Sequence, residues 1–79
     1  MPYIDGPDVV YPFDTVSYTI KNVDSEGKWI LNTKKAKVLD INSTFITIEI
    51  TTSKSGNFNL QYIIDDKIVT ELAVTIASL

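Results

Sequence analysis

The chain contains no cysteine, no histidine and no arginine. Without the first two, neither a disulfide nor a zinc site of the usual ligands is available, although domains this small often depend on one or the other. The lack of cysteine leaves the redox compartment open. The commonest general base and the thiol nucleophile are missing too, and the Ser and Lys residues fall at turns or on outward strand positions where nothing would activate them. The expectation is therefore a chain that is not an enzyme and that requires no cofactor and no resident metal. All seven basic residues are Lys, set against ten carboxylates for a formal charge of −3. That balance argues against nucleic acid as a partner, because phosphate contacts need a basic surface. No apolar run approaches ~18 residues, and Met1 to Asp5 has neither a basic nor an apolar leader region, so neither membrane insertion nor secretion is expected.

What is present is a globular composition. Seventy-nine residues, 44% of them hydrophobic with only three Gly and three Pro, bound one domain with one marginal core. Periodicity of two dominates. From Thr15 to Val23, the apolar Val16, Tyr18 and Ile20 alternate with Thr15, Ser17, Thr19 and Lys21, the pattern of a strand with one buried face. It returns at Ile46, Ile48 and Ile50, at Phe58, Leu60, Tyr62 and Ile64, and at Ile68, Leu72, Val74 and Ile76 with Thr70 among them. Shorter strands are expected from Lys28 to Asn32, centred on Trp29 and Leu31, and from Ala36 to Asp40, with Val38 inward. Asp8 to Tyr11, bracketed by Pro7 and Pro12, suits an edge strand.

Turn signals separate these segments at Asp24-Ser25-Glu26-Gly27, Asn32 to Lys35, Asn42-Ser43, Ser53 to Gly56 and Asp65-Asp66-Lys67. No helix-sized amphipathic segment remains between them. The expectation is an all-β, antiparallel sandwich or barrel of about seven strands, with residues 1–12 as an arm or edge strand before a domain at 13–79. For the last hairpin, a two-residue loop at Asp66-Lys67 would set the inward Ile64 opposite the outward Val69. A three-residue loop from Asp65 to Lys67 avoids this, pairing Ile64 with Ile68 inside and Ile63 with Val69 outside.

Asp14 to Ile20, Trp29, Ser55 to Tyr62 and Leu72 to Ile76 together resemble immunoglobulin-like modules, specifically the bacterial-type modules of surface adhesins and of virion proteins of tailed bacteriophages. The likeness runs from about Asp14 to Leu79. It implies an immunoglobulin-like antiparallel sandwich in which Trp29 fills the space between sheets, as the buried Trp of that fold does. Phe58 and Leu60 stand where that family carries its corner Tyr and second Cys, a departure that favours the Cys-free bacterial and phage types. Fold does not fix function. The resemblance implies a non-catalytic structural or decoration module of a virion assembled in the host cytoplasm, bound to a capsid or tail protein lattice. The start at Met1 and the end just after the last strand favour that reading. The alternative it implies is an adhesive module at the bacterial cell surface that binds a host glycan or receptor. Self-association is compatible with both.

By parity Ile30, Ile63 and Val69 point outward, and in an immunoglobulin-like topology their strands share one sheet, so they are the candidate protein-binding patch. Phe45 is outward on the opposite sheet. Acid pairs at Asp5 and Asp8, Asp24 and Glu26, and Asp65 and Asp66 are read as solvated turn residues and not as calcium ligands. Lys21 and Lys28 are outward, which disfavours an isopeptide cross-link. Asn42-Ser43-Thr44 fits a glycosylation acceptor only by a short match. The Pro-punctuated arm, Met1 to Pro12, is a second candidate contact, pairing with its own domain or extending to a neighbour.

Overall fold

The alternation is realised as eight strands in a computed structural model, which describes residues 1–78. They are β1 (Tyr3–Asp5), β2 (Val9–Val10), β3 (Thr15–Lys21), β4 (Lys28–Leu31), β5 (Ala36–Ile41), β6 (Phe45–Ile50), β7 (Gly56–Ile64) and β8 (Lys67–Ile76). Two four-stranded sheets form, ordered β1-β3-β6-β5 and β2-β8-β7-β4. All neighbours are antiparallel except β2 and β8, which run parallel. The count exceeds the expected seven because the N-terminal arm supplies two short strands, one to each sheet.

The periodic residues meet between the sheets. Tyr18, Ile20, Ile46, Ile48 and Ile50 from the first sheet and Trp29, Phe58, Leu60, Tyr62, Val74 and Ile76 from the second are buried, joined by Ile4 and Val10 of the arm. Each such side chain contributes about 1.5–3 kcal/mol when fully buried. Register keeps them together: Tyr18 faces Ile46, Leu60 faces Leu72 and Phe58 faces Val74.

Three tyrosine and tryptophan polar atoms anchor loops to this core. The Tyr62 hydroxyl accepts from the Gly27 amide (2.8 Å) and donates to the Ser43 carbonyl (2.6 Å), tying two connections to β7. Gly27 lies so close to β7 that a Cβ there would fall 2.0 Å from the Ile63 carbonyl oxygen. The Trp29 indole packs edge-on against Tyr62, with centroids 5.0 Å apart, and its Nε1 donates to the Asn42 carbonyl (3.0 Å). The Tyr18 hydroxyl donates to the Pro7 carbonyl (2.7 Å) where the arm crosses between sheets. Gly6 passes over that same ring, and a Cβ there would come within 2.3 Å of Tyr18 Cδ1. Among the described residues no buried side-chain N or O lacks a partner, as the cost of an unmade buried hydrogen bond requires.

The last hairpin differs from expectation. Its loop is Asp65-Asp66, with Ile64 opposite Lys67 and both loop residues at positive φ (52° and 63°), the backbone of a type I′ turn. Asp tolerates this left-handed region better than most residues. A bulge then follows: Ile63 faces Ile68 and Tyr62 faces Thr70, so Val69 is the extra residue. One inserted residue reverses the parity of the strand on its turn side. Ile68 is consequently outward and 56% exposed, whereas Val69 packs against the core, the reverse of the expected placement.

Candidate binding surface

The sandwich has two flanks, and they are finished differently. On one, the arm lies along part of each sheet edge: β1 pairs with β3 through Ile4 and Ile20, and β2 pairs with β8 through Val10 and Ile76. Ile4 and Val10 are buried there. On the other flank β5 ends the first sheet and β4 ends the second, with nothing of the chain beyond them among the described residues. Trp29 spans this opening through its hydrogen bond to Asn42.

Strand β5 carries the apolar surface of that open flank. Val38, Leu39 and Ile41 are 45%, 50% and 49% exposed. Val38 and Ile41 face Ile48 and Ile46 and so have the inward parity expected for Val38, yet the opposing sheet does not extend over them. Leu39 is the extra residue of a bulge between Val38 and Asp40. Beside this strip a cleft of about 300 Å³ is lined by Gly27, Lys28, Trp29, Ile41, Asn42 and Ser43.

The edge is protected against backbone pairing while its side chains remain available. The bulge interrupts the ladder, the Asp40 carboxylate accepts from the Ile41 amide (2.9 Å), and Lys37 pairs with Glu49 (3.2 Å) on the outer face. Bulges and edge charges are the devices by which sheet proteins discourage strand addition. At the end of β5, Asn42 Oδ1 accepts from the Thr44 amide, the Thr44 hydroxyl and the Phe45 amide at 2.8, 2.8 and 2.9 Å. The side chain that matched a glycosylation acceptor is thus occupied in building the turn.

The predicted patch is only partly assembled. Ile30 and Ile63 do lie on the outer face of the second sheet, but both are partly buried. Val69 is not with them, because the bulge turns it inward; Ile68, opposite Ile63, takes the outer place. Lys28, opposite Ile63, and Gln61, opposite Ile30 and hydrogen-bonded to Glu71 (3.3 Å), interrupt the apolar area. The β5 strip is not legible in the sequence because Val38, Leu39 and Ile41 read as ordinary strand residues until the sheet order is known.

The Tyr18 hydroxyl is pushed up to about 12, mainly by burial and secondarily by the negative charge of Asp8. Asp24, Glu26, Asp65 and Asp66 are exposed, and no group of three or more potential metal-ligating side chains occurs among the described residues. Likewise, among them no helix is long and apolar enough to cross a membrane. No family model, curated protein or solved structure matches the chain.

Proposed function

We propose that this chain is a non-catalytic, immunoglobulin-like binding module that docks a protein partner on the flank formed by β4 and β5. The observation that carries the proposal is a run of three half-exposed aliphatics on one strand, Val38, Leu39 and Ile41, beside the Trp29 cleft; on the arm flank Ile4 and Val10 are buried by the chain itself and Val9 is the exposed aliphatic of β1 and β2. Contiguous apolar surface of this kind, rimmed here by Lys37, Asp40 and Lys28, is the ordinary form of a protein-binding site. The protected backbone edge favours a partner that meets side chains over one that adds a strand.

Strand order supports the immunoglobulin-like reading. Counting β1 and β2 as one first strand split between sheets, the sheets read first-second-fifth-fourth and first-seventh-sixth-third, the division of strands found in that fold, with Trp29 on the third strand. The reading we take for setting is a virion accessory module on a capsid or tail lattice. Its test is co-sedimentation of the purified chain with particles assembled from the capsid and tail genes of its own genome. Leu39→Asp is expected to abolish co-sedimentation while leaving the fold intact. Co-sedimentation of that variant at the wild-type level would reject the β5 surface.

A further inference from the structure

We propose that residues 1–10 form an exchangeable arm, and that two copies of this chain associate by docking each arm into the other copy. This inference goes beyond the binding role and does not rest on it. Four features of the arm and its hinge carry it.

Residues 1–10 precede every other strand of the sandwich, so they can peel from its edges without threading between those strands. Its contacts are of a kind that an identical second copy reproduces in full: β1 on the edge of one sheet, β2 on the edge of the other, Ile4 and Val10 in the core, and the Pro7 carbonyl on Tyr18. The hinge that folds it back is a tight turn from Tyr11 to Asp14. Here the Asp14 amide donates to the Tyr11 carbonyl (3.1 Å), and the Tyr11 amide donates to Asp14 Oδ2 (3.0 Å).

Pro12 and Phe13 occupy the centre of that turn, and Phe13 has φ of 67°. A proline followed by a residue at positive φ is the arrangement of a type II turn, whose third position ordinarily takes Gly or Asn. A bulky aromatic there is strained, and the strain persists only while the turn stays closed. Tyr11 and Phe13 are also exposed, Phe13 by 62%.

Opening the hinge therefore keeps every arm contact, relieves Phe13, and brings the aromatics of two crossing hinges together. Against this stand the two Tyr11–Asp14 hydrogen bonds of the closed turn and the loss of the intramolecular advantage, so exchange should increase with protein concentration.

The chain has no cysteine, which makes an unambiguous cross-link available. Asp5 faces Thr19 across the β1–β3 pair. Copies of the chain carrying Asp5→Cys are mixed with copies carrying Thr19→Cys, unfolded together, refolded at graded concentration and oxidised. The expected product is a disulfide-linked dimer joining the two variants, with a yield that rises with concentration. Adding Phe13→Gly to both copies should lower that yield severalfold, and deleting Pro12 and Phe13 should raise it. Copies with Lys37→Cys in place of Asp5→Cys should give little product, since Lys37 pairs with Glu49 and lies away from β1. Absence of the mixed dimer at every concentration would overturn the proposal, as would an equal yield from the Lys37→Cys copies.

Discussion

The two flanks of this sandwich solve the same problem, the open edge of a sheet, in opposite ways. On the arm side one segment crosses between sheets at Gly6-Pro7, and its Ile4 and Val10 complete the core. On the β4–β5 side no segment crosses; a bulge, an Asp40 cap and a Lys37–Glu49 pair protect the backbone, and the apolar side chains stay in solvent. The difference teaches that edge protection and surface burial are separable: the second flank keeps three exposed aliphatics on a single strand, while the arm flank buries Ile4 and Val10 and leaves Val9, Tyr11 and Phe13 in solvent.

That contrast makes graded predictions. The largest effect is expected from Trp29→Ala, which removes the one large side chain closing the open flank; denaturant unfolding should show a loss of about 3–5 kcal/mol. On the arm flank Ile4→Ala should cost about 2–4 kcal/mol, because the arm's side chains are as much a part of the core as those of the longer strands. If this loss were negligible, the two flanks would be equally open and the comparison would collapse. Tyr62→Phe strands the Gly27 amide and the Ser43 carbonyl together and should cost about 1–3 kcal/mol in the same assay. Leu39→Asp, in contrast, should change stability by no more than about 0.5 kcal/mol, since its side chain has little contact to lose.

The arm flank also carries a pH signature. Tyr18 titrates near 10 when unfolded but is raised to about 12 in the fold, so above pH 10 the unfolded chain loses a proton that the folded chain keeps. Its contribution to stability is complete below pH 10 and is lost as pH rises through about 12. Unfolding followed across this range should show that decline, and Tyr18→Phe should flatten it at the cost of the hydrogen bond to Pro7.

Much of the core was legible from period two alone. Tyr18, Ile20, Ile46, Ile48, Ile50, Phe58, Leu60 and Tyr62 are buried where alternation places them, and Trp29 lies between the sheets. Alternation failed at the bulges, since one extra residue leaves no mark in composition yet reverses every side chain between it and the turn; this is how Val69 and Ile68 traded places. Strand β1, at three residues, is too short to show a period at all, and its role depends on pairing with β3, distant in sequence. The β5 surface was hidden for a related reason. Val38 has the right parity for the core, and only the sheet order reveals that no strand lies over it.

Amide hydrogen exchange, compared between the free chain and the chain bound to assembled particles, tests the central claim most directly. The account predicts that the free chain already protects the arm and that docking adds protection at residues 28–31 and 36–42. Added protection confined to the outer face of β3 and β6, with residues 36–42 unchanged, would contradict it.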